Sequence, residues 1–204
     1  MRLPYDVLVL ECSVTFHDHI GRTALADATK PMKVDAVHAL LESAVGETAR
    51  AALGKGEVEI ELTLCGDAEI ERLNFDHMGE RGPTDVLAFP LHEWSVDGQR
   101  SRLADDDGFG PPGPMLLGDV VLDVEQAVRQ ANEGNWSVPE ELALLAIHGT
   151  LHLLGHDHAE LDEEQTMRAV ERLVLTTLHR RHRDVDWKPG SLFDRAGHAV
   201  SSGA

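Results

Sequence analysis

Residues 148–158 read His-Gly-Thr-Leu-His-Leu-Leu-Gly-His-Asp-His, so four of the chain's 12 histidines fall in one short run. His148 and His152 stand one helical turn apart, and on a helix both imidazoles project from the same face. Gly155 supplies a residue that can adopt a left-handed conformation and end that helix. The chain can turn back there, which lets His158 reach the same point, with His156 in the turn as a competing third ligand. Neutral imidazoles from His148, His152 and His158 converging on one point make a zinc site with an open fourth position, the arrangement of a catalytic zinc. The alternative is a helix end with exposed histidines, which requires their clustering to be accidental.

A rigid element must carry the first two histidines. Ser137-Val-Pro-Glu140 has the pattern of a capping box, with Pro139 in the first turn. The helix that it starts runs to about Leu154. Leu142, Leu145, Ala146 and Leu153 make it apolar nearly all round, so it must be buried. Burying His148 and His152 without partners costs desolvation energy, which coordination removes.

The surrounding elements follow from period and punctuation. Residues 160–181 form a last long helix with Met167, Val170, Leu173 and Val174 inward and Glu163 and Glu164 in its early turns. The basic group from His179 to Arg183 complements that helix's C-terminus. The apolar run within residues 6–12 is a short strand, and Val34–Leu53 is an amphipathic helix covering one sheet face. In residues 57–64, Glu57, Glu59 and Glu61 alternate with Val58, Ile60 and Leu62, as in a strand near a sheet edge. Asp67 caps a short helix to Asn74, with Ile70 and Leu73 inward. A loop over 75–83 leads into a strand over 84–90. Residues 92–114, rich in Gly, Asp and Pro, form a long surface loop or lid. Residues 116–122 are the next strand, and Asp123 caps the helix that continues to Ala131. His77 and His92 are isolated surface histidines. The outline is a single α+β domain: a small mixed β-sheet packed with several helices, one of them a zincin-like metal-binding helix. It covers residues 1–183, and residues 184–204, with few apolar anchors, form a flexible tail.

Composition bounds the function. A chain of 204 residues, 42% hydrophobic and 26% charged, is large enough for a proper core and ordinary for a soluble globular protein. No segment has the length of an apolar transmembrane helix, and the N-terminus lacks the basic and apolar regions of a signal peptide. Cys12 and Cys65 are too few for a disulfide framework, so a reduced cytoplasm is expected, with each cysteine acting as a small buried residue. A net charge of −18 excludes a general nucleic-acid binder that relies on a basic surface. It permits an enzyme in which a bound cation and a few arginines create a local positive site.

The spacing His-x-x-x-His-x-x-Gly-x-x-His is shared with the metzincin proteases, in which a Glu after the first His is the general base. Here that position is Gly149, which has no side chain to take a proton. The run HGTLHLLGHDH resembles instead the signature of the YbeY family, bacterial metal-dependent endoribonucleases linked to ribosomal RNA maturation, which has Gly after the first His and ends in Asp-His. LNFDHMGERGPTDVLAFPL (73–91) is similar to the family's Leu-Asn segment and its Pro-Thr-Asp-Val-Leu-Ser-Phe-Pro strand, and GDVVLDVEQAVRQA (118–131) to its Gly-Asp-Ile strand and following helix.

The resemblance implies that residues 1–183 are an endoribonuclease domain binding one zinc ion through His148, His152 and His158, with His156 exposed. The implied activity is single-strand-specific cleavage of precursor RNA, in maturation of the 3′ end of 16S ribosomal RNA and in ribosome quality control. Ribosomal or assembly-factor proteins are the implied partners, and no membrane is involved. Asp157 either accepts a hydrogen bond from a ligand imidazole or acts on the reacting water. Asp85, beside the cleft in the family, either orients a ligand histidine or substrate or makes a local turn hydrogen bond. Many family members place a phosphate-contacting arginine where this chain has Met78, with Arg81 nearby. A divergent zinc metalloprotease and a non-catalytic ribosome-assembly factor with a structural zinc are the competing readings.

Overall fold

The computed structural model describes residues 10–103, 113–158 and 160–187. Strands β1 (Leu10–Asp18), β2 (Gly56–Cys65), β3 (Val86–Pro90) and β6 (Met115–Asp123) form a sheet of order β1-β2-β6-β3. β1, β2 and β6 run parallel, and β3 is antiparallel to β6, so the sheet is mixed. A separate antiparallel hairpin, β4 (Trp94–Asp97) with β5 (Arg100–Leu103), lies between β3 and β6 in the chain. The helices are α1 (Arg22–Ala28), α2 (Val34–Leu53), α3 (Asp67–Met78), α4 (Val124–Gly134), α5 (Val138–Leu153) and α6 (Leu161–Arg181). The α+β class and the mixed sheet are therefore as expected.

The core lies between one face of the sheet and the helix layer of α2, α5 and α6. α2 has the bounds its periodicity predicts, and it buries Val37, Leu40, Leu41, Ala44 and Val45. α5 is buried along nearly its whole length from Pro139 to Leu153, as an all-round apolar helix must be. Each of its fully buried leucines contributes about 1.5–3 kcal/mol through removal from water.

Several elements differ from expectation for identifiable reasons. β1 lies further along than residues 6–12, of which residues 6–9 fall outside those described. Its signal is alternation: Cys12, Val14 and Phe16 pack on the core while Glu11, Ser13 and Thr15 are exposed. β2 is interior, paired on both sides, so its alternating glutamates mark a solvated face and not an edge. Gly66, not Asp67, is the N-cap of α3, and the helix continues to Met78, taking in the start of the expected loop. Gly66 has no side chain to cap with; instead the Asp67 N–H donates to Glu125 Oε2 at 2.8 Å, while the Asp67 carboxylate is engaged by Arg129. The hairpin occupies part of the expected 92–114 loop, turning at Gly98 with φ 58°; residues 104–112 lie outside those described. In α6, Leu173 is 53% exposed, while Leu175 and Leu178 are buried beside Met167, Val170 and Val174. Leu173 falls three residues after Val170 but off the stripe that 167, 170, 174 and 178 define. Residues 184–187 of the expected tail pack against the fold: Val185 is in the core and the Trp187 indole N–H donates to the His182 carbonyl at 2.7 Å. Residues 188–204 lie outside those described.

Candidate metal centre

Ser137 caps α5, its hydroxyl accepting from the Glu140 N–H, and Pro139 occupies the first turn. From this fixed start the helix delivers His148 and His152 to one face, with ring centroids 4.7 Å apart. The helix ends at Leu154, where Gly155 adopts φ 80° and the His156 N–H returns to the Leu151 carbonyl at 3.0 Å. That reversal brings the His158 ring to 5.5 Å from His148 and 5.2 Å from His152. One nitrogen from each ring lies within 4.8 Å of the other two. The three predicted residues are thus brought together.

Their donor geometry fits a metal ion. The Nε2 atoms of His148 and His152 are 3.1 Å apart. With metal–nitrogen bonds of about 2.0–2.1 Å, tetrahedral ligand atoms sit roughly 3.3 Å apart. His148 is 4% exposed, and its Nδ1 lies 2.8 Å from Glu171 Oε1. Burial, followed by the neighbouring His148 and His158 rings, pushes His152 down to about 3, so its ring is neutral and carries a free lone pair near pH 7.

Two glycines explain the local packing. A Cβ on Gly149 would stand 2.7 Å from Val120 Cγ1 and 3.0 Å from Val86 Cγ2, so this glycine lets α5 lie directly on the sheet. The position where a metzincin carries its base therefore faces the core. At Gly155 a Cβ would meet the Cβ of Trp94 at 2.6 Å, and β4 braces the turn that carries His158.

The remaining candidates separate clearly. His156 is buried, 4% exposed, and desolvation holds its pKa down; the expectation of an exposed ring fails because the reversal tucks the side chain inward. Asp157 is exposed, and its Oδ1 accepts from the His158 backbone N–H at 2.7 Å. Asp85 is fully buried, accepting from the Val86 N–H, the Thr84 hydroxyl and Gln130 Nε2 at 2.8 Å. It thereby ties β3 to α4, while burial raises its pKa against the opposing effect of these bonds and of nearby His148. Met78 packs partly buried against Ile70, Leu87 and Val121, and Arg81 is exposed. His77 lies edge-on to Phe89, and His92 Nε2 bonds the Leu116 carbonyl, so neither joins the cluster. The basic residues His179, Arg180 and Arg181 sit in the last turn of α6, and Arg181 pairs with Glu47. A second acidic group, Asp67, Asp123 and Glu125, already has a cation in Arg129, whose Nη1 meets Asp67 Oδ2 at 2.9 Å.

Glu171 was not among the predicted residues. Its one sequence signal is its position in α6, a carboxylate inside the stripe of Met167, Val170, Val174, Leu175 and Leu178.

The profile of the family described as endoribonuclease YbeY matches residues 24–179. The chain belongs to the YbeY family. It is 41% identical over 131 residues to the endoribonuclease YbeY of Mycolicibacterium vanbaalenii, covering 62% of this chain and 67% of that protein. It is similar to the endoribonuclease YbeY of Moorella thermoacetica at 45% identity over 120 residues, covering 59% of this chain and 72% of that one. For the endoribonuclease YbeY of Desulfitobacterium hafniense the figures are 40% over 139 residues, 68% and 83%. The stretch shared with the YbeY family includes the three clustered histidines, Gly149, Gly155 and Glu171, and begins after β1.

Proposed function

We propose that this chain is a zinc-dependent, single-strand-specific endoribonuclease, with His148, His152 and His158 as the metal ligands. The observation that carries this reading is the convergence of three imidazole nitrogens within 4.8 Å, in a chain whose relatives are named endoribonucleases. When bound, zinc supplies Lewis-acid charge at the scissile phosphate. The protein's own part is to hold neutral imidazoles rigidly: α5 is fixed by burial and the turn at Gly155 closes the third ligand onto it. RNA carries a potential nucleophile in its 2′-hydroxyl, so this chemistry makes no demand for a carboxylate at position 149. The core-facing Gly149 is equally a reason to set the protease reading aside.

The cellular reading is maturation of the 3′ end of 16S ribosomal RNA and ribosome quality control in the cytoplasm, with ribosomal or assembly proteins supplying affinity that an acidic surface lacks. No described helix is long and apolar enough to cross a membrane. The catalytic domain is taken to run past residue 183, through Trp187, because Val185 packs in its core.

The test is a nuclease assay on single-stranded and duplex RNA, with and without chelator, alongside metal analysis of the purified protein. Cleavage of the single strand that stops on chelation and in His158→Ala, with near-parental melting of that variant, is the expected result. Cleavage surviving both treatments, or a parent with bound zinc and no nuclease activity, overturns the reading. The second outcome, with a collapsed His158→Ala fold, identifies a structural zinc.

A further inference from the structure

An acid in the apolar stripe of a helix needs a reason, because an unpaired buried carboxylate is costly. In α6 the inward positions are Met167, Val170, Val174, Leu175 and Leu178, each at most 2% exposed. Glu171 lies among them with its side chain 13% exposed, and Oε1 is 2.8 Å from His148 Nδ1. His148 comes from a different helix, 23 residues earlier, and its side chain is only 5% exposed. Both groups are therefore held by packing rather than by chance surface contact.

We infer that Glu171 is a positioning residue for the metal centre, fixing the ring plane and tautomer of His148. This rests on the reading that the histidine cluster holds a metal. An imidazole that donates its Nδ1–H to a carboxylate must present the bare lone pair of Nε2. Nε2 is the His148 atom that faces His152 Nε2 at 3.1 Å. Without the carboxylate, either tautomer is open to His148, and one of the two turns a hydrogen toward the ion.

Such outer partners are generally worth a 10–100-fold change in metal affinity. The test compares the full-length parent with Glu171→Gln, Glu171→Ala and Glu171→Asp, measuring zinc affinity by competition with a chromophoric chelator. Long-range nitrogen–proton NMR reads the His148 tautomer in the metal-free proteins, and thermal melting of the same samples checks folding. The expected result is a roughly 10–100-fold weaker zinc affinity in Glu171→Gln and Glu171→Ala, with partial recovery in Glu171→Asp. His148 should be Nδ1-protonated in the parent and mixed in Glu171→Gln, with metal-free melting of that isosteric variant near the parent's. Parental affinity and tautomer in folded Glu171→Gln overturn the inference while leaving the nuclease reading intact. A parent that binds zinc but cleaves no RNA defeats the nuclease reading, and the affinity series still decides the role of Glu171. A parent that binds no metal through His148 overturns both.

Discussion

Gly149 carries two meanings that only coordinates separate. Its lack of a side chain removes a protease base, yet its position against Val120 and Val86 shows that the immediate constraint is steric. Alanine there gains about 1 kcal/mol of helix propensity and meets an overpacking cost of about 1–3 kcal/mol. Gly149→Ala is therefore expected to lose on the order of 1 kcal/mol, lowering the melting temperature by about 2–4 °C in a chain of this size. A thermal melt in which the variant gains stability would refute the packing account. The clustering of the three histidines was legible because helical spacing plus a glycine stop is a local pattern. Glu171 was not, since its partner is remote in sequence and an acid in a helix reads by default as solvated. His156 was misplaced because neighbouring turn residues point in opposite directions, which residue type alone does not resolve.

Among the elements, the junction of β6, α3 and α4 has a titration of its own. Asp123 caps α4, its Oδ1 accepting from the Glu125 and Gln126 N–H groups. Burial, reinforced by the adjacent Asp67 carboxyl, pushes it up to about 7, whereas the Arg129 guanidinium keeps Asp67 low. An unfolded aspartate releases its proton near pH 3.9, so between about pH 4 and 7 the folded state holds more protons than the unfolded one. The stability due to this group consequently falls as pH rises through that window. Asn also caps helices and does not titrate. Melting temperatures of the parent, compared with Asp123→Asn, are expected to decline by several degrees more across about pH 4 to 7; parallel curves would contradict the assignment. Element type was legible wherever the pattern was long, as in α2. Position was lost where alternation was read as an edge in β2, and type where the Asp97-Gly98 turn was submerged in a polar stretch.

For the molecule as a whole, a net charge of −18 sets the terms of any encounter with RNA. Proteins that neutralise several phosphates lose about 10³–10⁵ in affinity between roughly 50 and 200 mM salt. This chain is expected to bind unstructured RNA weakly, losing less than about tenfold over the same range. Fluorescence anisotropy of a labelled single strand checks this, and a steep salt slope would reveal a basic surface outside the described residues. Sheet order was the part of the fold least visible beforehand, because the placement of β6 between β2 and β3 depends on contacts across the whole chain.

The helix α5 is enclosed by the sheet, α2, α4 and α6, and the turn after it is open at Gly155 and Asp157. An ion held by two imidazoles on the first and one on the second would be gripped with unequal permanence. Amides of α5 exchange with solvent only when the domain opens as a whole, whereas a turn can lift far more often. With His156 buried and Gly155 set against Trp94, that lifting is opposed by the packing of the turn itself, and these two contacts set the lifetime of a bound ion.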